Sequence, residues 1–271
     1  MMLLTAGVTY GHDSPNDVID ALTHRIEEEA KARLLVDRGL EYRVVGDHLR
    51  AEQDLRAALE LSPEYVPAYI ALAQMFVHRE QIHEAFNVIE SGLNRTSDVD
   101  FCNEFYRLRA ESHAIEGDWN SARISVSKIS VAGRQDLGCV LLWSRIQNEL
   151  GEIDARVDDL RKAYSDNSAV VLESELIDAL RDAEKFEEAL ERINSHLGRG
   201  RYKAEWLLRR AETYRAMGEY ANQHADAEAA LEELERRLDR ARPNRQLYVE
   251  RAKARVLLGD SKDSRLALDA K

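Results

Sequence analysis

Little in this chain can lock a fold covalently or interrupt a helix. Two cysteines, Cys102 and Cys139, stand far apart and in no metal-ligand spacing. A disulfide framework and a thiolate zinc site are therefore excluded, and the two read as buried free thiols. Four prolines and thirteen glycines in 271 residues leave little loop material. Extended β-branched runs are missing, and no stretch approaches the roughly 20 apolar residues of a membrane span. Positive charge is not in excess: 38 Lys and Arg face 50 Asp and Glu, for a net charge of −12. The arginines are interleaved with glutamates rather than gathered in one block. Such a chain repels phosphate backbones, so no nucleic acid is expected as a partner.

The signatures of catalysis are missing too. There is no Gly-rich phosphate loop, no HExxH zinc motif and no nucleophile elbow. His78 and His83 are five residues apart, on different faces of a helix, and His12, His24, His48, His196 and His224 are scattered. The acidic pairs Glu187–Glu188 and Asp158–Asp159 are adjacent and diverge, as solvated helix faces do. We expect no enzyme, no cofactor and no metal.

What is present is helix-forming material with a period. Leu, Ala, Glu and Arg dominate, and 44% apolar with 32% charged residues suits exposed helices, so the expected class is all-α. Counting from Ala32, Gly39 is position 8, Tyr42 is 11, Ala51 is 20, Leu55 is 24, Ala58 is 27 and Pro63 is 32. From Val66, Tyr69, Leu72, Ala73, Phe76, Ala85 and Ile89 fall at 4, 7, 8, 11, 20 and 24, with Leu72 and Ala73 adjacent at 7 and 8. Weaker echoes start near 103, 137, 170, 204 and 245, so successive starts lie 34, 37, 34, 33, 34 and 41 residues apart. Small residues at 8, 20 and 27 let helix axes approach the lower end of the usual 8–10 Å range. Leucine there would overpack, at about 1–3 kcal/mol per site.

These positions resemble the tetratricopeptide-repeat family over residues 32–271. One departure stands in the first unit, where Arg38 holds position 7 in place of a large apolar residue. The resemblance implies a right-handed α-solenoid of antiparallel helix pairs, six to seven repeats starting near 32, 66, 103, 137, 170, 204 and 245. Gly46, Gly117, Gly151, Gly218 and Gly259 all take position 15, the turn between the two helices of a unit. There glycine tolerates the left-handed backbone that ends a helix. Asp47, Asp118 and Asp260 follow as helix caps, and His113 stands in for an aromatic at position 11.

Residues 16–31 read as an N-terminal capping helix, with a lid over the groove as the alternative. Residues 1–15 read as a disordered start or the remnant of an export signal. Localisation is accordingly cytoplasmic, or periplasmic or exported if a signal sequence lies upstream. The polar stretch 94–100 reads as a lengthened loop. Residues 220–243 read as an extended helix stopped by Pro243, whose stripe of Leu231, Leu234 and Leu238 packs on the final helix or meets a second copy of the chain.

In the family, positions 2, 5, 9 and 12 face a concave groove. Here they place Val36, Leu40, Arg43, Ile70, Gln74 and Val77 on a mostly apolar floor, with His78 beside them. Arg107, Glu111, Arg145, Asn148, Asp178, Arg181, Glu212 and Arg215 make a mixed polar floor. The family's carboxylate clamp needs Lys at 5 and Asn at 9 of one unit, Asn at 6 of the next, then Lys at 2 and Arg at 6 of a third. No window fits it: Val36 and Leu40, then Ala71, hold those places in the first two units, and Glu111 stands where Asn is needed in the third. The expected function is a non-catalytic scaffold that binds a protein or peptide segment. Arg107, Arg145 and Arg181 would meet acidic side chains, or the charges pair within their own helices. The alternative is an accessory protein of the bacterial cell envelope or a regulatory subunit of an enzyme complex.

Overall fold

The computed structural model describes residues 14–200, 202–240 and 245–259. Most of the N-terminal stretch read as a disordered start or signal remnant, the stop at Pro243 and the cap Asp260 lie outside them. The chain divides into two compact units, residues 1–150 and 151–271. The first holds α1 (Pro15–Glu28), α2 (Ala32–Val44), α3 (His48–Leu61), α4 (Val66–His78), α5 (Ile82–Leu93), α6 (Val99–Ile115), α7 (Trp119–Ser127), a 3-10 turn at Gly133–Gln135 and α8 (Leu137–Glu149). The second holds α9 (Ile153–Asp166), α10 (Val170–Asp182), α11 (Phe186–Arg199), α12 (Ala204–Ala216), α13 (Tyr220–Arg240) and α14 (Arg245–Leu257). No strand occurs among the described residues.

Within each unit, sequential helices pack in pairs, and the first helices of successive pairs also touch: α2 on α4, α4 on α6, α6 on α8, then α10 on α12 and α12 on α14. The small residues set these approaches. Ala51, Ala58, Ala73, Ala85, Ala122, Ala189 and Ala211 are wholly buried. A methyl on Gly39 would stand 3.2 Å from the Ala51 carbonyl oxygen and from Leu55 Cγ. Large side chains fill the space between: Leu55, Phe76, Ile89, Phe105 and Leu108 in the first unit, Leu208, Leu234, Leu247 and Leu257 around α12, α13 and α14 in the second. Each fully buried large side chain contributes about 1.5–3 kcal/mol. Leu231 and Leu238, half-buried, pack against the cluster that α14 shares, so the stripe on α13 meets the final helix.

The turns share one construction. Gly46 at φ 82° ends α2, its N–H donating to the Arg43 carbonyl and that of Asp47 to the Tyr42 carbonyl. This pair of reversed bonds satisfies the last carbonyls of the helix. Gly117, Gly151, Gly218 and Gly259 also have positive φ. So do Glu80 and Glu184, both at φ 56°, where the second and fifth units have no glycine. Asp47 and Asp118 then cap α3 and α7, accepting from the backbone N–H of Arg50 and Ser121.

One expectation needs correction. The extra residues around 94–100 do not lengthen a loop so much as a helix. Asp98 caps α6 by accepting from Asp100 and Phe101, and α6 runs 17 residues from Val99 where its counterparts run 13. The departure at position 7 of the first unit has a partner of its own. Arg38 grips the buried Asp54 through two hydrogen bonds of 2.7 Å, so an ion pair takes the place of apolar packing. The sixth unit repeats this: Arg210 grips Asp226 with two bonds of 2.7 Å, and in both the acid follows the arginine by 16 residues. Of the cysteines, Cys139 is buried and Cys102 half-buried, and both are free. Burial pushes the Cys139 thiol up to about 11.

Candidate functional site

In the first unit, the facing sides of α2, α4 and α6 enclose an open concavity of about 250 Å³. Arg43, Gln74, Val77, Arg107 and Glu111 line it, joined by His78 and Leu108. The residues belong together because positions 9 and 12 of one first helix and 5 and 9 of the next fall on the same side at helical spacing. Glu104, at position 2, stands beside this lining, bonded to Gln74 and Arg107, and the same spacing points to it.

The charges are arranged in a chain. Arg107 donates from Nε to Glu104 at 2.9 Å and also pairs with Glu111 one turn on. Gln74 donates to Glu104 at 2.8 Å and ties α4 to α6. Burial penalises the Glu104 carboxylate, but the bonds from Arg107 and Gln74 more than offset it and hold its pKa below the ordinary value. Glu111 comes out the other way: burial wins over Arg107, and its pKa is raised. Burial also works against the Arg107 charge, yet two flanking carboxylates raise its pKa. Arg43 differs from all of these. Burial lowers its pKa with no carboxylate opposing it, and one terminal nitrogen is buried without a hydrogen-bond partner.

Other expected site residues lie elsewhere. Val36 is 4% exposed and belongs to the core of α2, α3 and α4, because position 5 of the first pair points between helices rather than into the open. Val77 is 8% exposed and reaches the concavity only as its floor. Ile70 is half-buried, while Leu40 and Val44 are exposed on α2. Arg145 and Asn148 lie exposed on α8, away from the concavity, with the Arg145 guanidinium 5.2 Å from the centre of the Trp119 ring. In the second unit, Asp178 pairs with Arg181 at 2.9 Å and with Arg209 at 2.7 Å, and Arg181 reaches Glu212 at 3.1 Å. Arg215 is exposed in the last turn of α12. Arg107 and Arg181 thus pair within their own helices. Both are compensated by carboxylates of their own helix and, for Arg181, of the next first helix.

Among the described residues no group of three or more His, Cys, Asp or Glu side chains could hold a metal ion, and no helix is long and apolar enough to cross a membrane. No family model matches the sequence, and no curated protein does. Solved structures are similar at low identity. A tetratricopeptide repeat protein from Parabacteroides merdae superposes with a TM-score of 0.60 at 14% identity, over 88% of this chain and 93% of its own. A chain of the APC/C hetero-tetramer Cut9–Hcn1 gives 0.63 at 13%, over 95% of this chain and 46% of that one. PilF from Pseudomonas aeruginosa gives 0.57 at 15%, over 96% of this chain and 100% of its own. With helix pairs, turn glycines and wholly buried alanines at the same recurring positions, the chain has the all-α solenoid fold of tetratricopeptide-repeat proteins.

Proposed function

We propose that the protein is a non-catalytic interaction scaffold and that a segment of a partner protein lies in the concavity formed by α2, α4 and α6. The observation that supports this most is Arg43, a cation held in a partly dry wall without a carboxylate of its own. A buried polar group without a partner is costly, and a ligand that supplies the missing acceptor recovers that cost. Leu40 and Val44, exposed on the same helix, and Val77 on the floor offer apolar contact beside it. The partner segment that fits carries an acidic or carbonyl oxygen for Arg43 flanked by an apolar side chain. It need not displace Arg107, whose charge is already matched. The similar chain in the Cut9–Hcn1 hetero-tetramer is an instance of protein assembly on this fold.

The test is differential capture. Full-length protein and the variants Arg43→Glu and Leu40→Asp are used as bait in native extract, and bound proteins are identified by mass spectrometry. A partner retained by the parent chain and lost by both variants, with helicity unchanged by circular dichroism, supports the reading. Hydrogen exchange on the reconstituted complex then shows protection in α2, α4 and α6. Equal retention by all three baits removes this concavity from the account.

A further inference from the structure

A second opening faces away from the groove. Arg109 and His113 lie two residues on from Arg107 and Glu111, which turns them about 200° around α6. There α5, α6 and α7 leave a cleft of about 310 Å³. Its origin is visible in the repeat register. Position 7 carries Arg38, Arg109 and Arg210 in the first, third and sixth units. Sixteen residues on, Arg38 and Arg210 find Asp54 and Asp226 and grip them with paired 2.7 Å bonds. Sixteen residues on from Arg109 stands Ser125, whose hydroxyl turns back to the Ser121 carbonyl at 2.9 Å. The internal carboxylate is missing, and the cleft opens where it would be.

Arg109 meets Glu90 of α5 instead, from the rim: the Arg109 side chain is 16% exposed and that of Glu90 is 60%. The consequence for the guanidinium is clear. The aspartates raise the pKa of Arg38 and of Arg210, whereas burial lowers that of Arg109. The rest of the cleft mixes polar and apolar side chains. The His113 ring lies 4.7 Å from that of Phe86, and its Nδ1 is buried without a hydrogen-bond partner. Lys128 lines the cleft, and Ile124 is 58% exposed at its edge.

We propose that this cleft binds a small carboxylic acid with a compact apolar body, whose carboxylate takes on Arg109 the place that Asp54 and Asp226 take on Arg38 and Arg210. The two-pronged match of guanidinium and carboxylate supplies the direction and most of the attraction. Lys128 adds positive potential. Phe86 and Ile124 cover the apolar body, and His113 offers a further polar contact on the wall. The volume is at the lower end of the range for small-molecule sites, which rules in a compact acid over a long one.

The probe is isovalerate, titrated into the full chain at constant ionic strength with chloride as the control, and followed through the arginine Nε–H resonances in nitrogen-correlated NMR. The Arg109 signal, assigned by its loss in Arg109→Gln, is expected to shift saturably below about 50 mM, as one well-formed ion pair with some apolar contact supports. Ser125→Asp restores the internal partner. It should move the Arg109 signal without ligand and weaken isovalerate binding by about tenfold or more. Should that variant not fold, Arg109→Lys keeps the charge, loses the planar fork and must weaken binding likewise, read there from the backbone N–H resonances of Phe86 and Ile124 in the same spectra. No saturable shift in the parent chain, or equal binding by both variants, overturns the proposal. Arg43→Glu lies on the far side of α6 and should leave isovalerate binding unchanged, so this site and the groove stand or fall separately.

Discussion

Glu80 and Glu184 hold the backbone conformation that five glycines hold at the same place in other helix pairs. Replacing either with glycine should stabilise the protein. A side chain with a Cβ pays roughly 1–2 kcal/mol in the left-handed region. Glycine relieves this but brings back about 0.4–1 kcal/mol of unfolded-chain entropy. The difference is about 0.5–1 kcal/mol in favour of glycine at each site. The surroundings do not blur it: Glu80 and Glu184 are exposed, and the bonds around them match those at Gly46, with the Glu80 N–H to Val77 and that of Gln81 to Phe76. Gly46 supplies the converse. A Cβ built there has nothing within 4 Å, so Gly46→Ala tests the dihedral alone and should cost about as much as Glu80→Gly gains. Urea unfolding followed by circular dichroism, with an unchanged slope, gives each difference as a shift in midpoint. Glu80→Ala separates charge from backbone, because it keeps the Cβ and should be close to neutral. Stabilisation by alanine equal to that by glycine, or no gain from glycine at either site, would refute the argument.

Asp54→Asn leaves the Arg38 guanidinium half-buried opposite a neutral amide and should cost about 3 kcal/mol by chemical denaturation, whereas the double change Arg38→Leu with Asp54→Leu should be close to neutral. Gly92→Ala drives a methyl into the Phe105 ring, which is itself wholly buried, and should cost about 1–3 kcal/mol in the same assay. Burial lowers the pKa of His113 from its usual 6.5, so the folded state resists its protonation. Its contribution is therefore fully present above about 6.5 and is lost as pH falls through the depressed value. His113→Phe should flatten the fall in melting temperature between about pH 7 and 5, and a slope identical to that of the parent chain would count against the assignment.

Much of the fold was legible because its determinants are local and recur. Position 15 is read from glycine, positions 20 and 27 from alanine, and the caps from aspartate, each through a steric or hydrogen-bonding need that acts within one or two turns. The same reading failed where the need was met by a residue that usually does not meet it. Glu80 and Glu184 give no sign in the sequence that they take a left-handed turn, and Val99 to Cys102 gave none that a polar loop would become a helical turn. Of the groove positions, Arg43, Gln74, Val77, Arg107 and Glu111 line one concavity. Pairing of Arg107 with Glu111 and of Asp178 with Arg181 could be read from helical spacing, whereas the contacts across helices, Gln74 with Glu104 and Arg181 with Glu212, could not.

That this chain is helical, paired and periodic follows from its residue order alone, because backbone conformation and close helix crossings depend on residue size and flexibility at fixed offsets. Which charges face one another across helices is set by the folded packing. Arg38, Arg109 and Arg210 are the same residue at the same position, yet two are gripped by aspartates from the following helix and one borders an open cleft. That outcome depends on distances across helix pairs, where a single change from Asp to Ser alters what a guanidinium can reach.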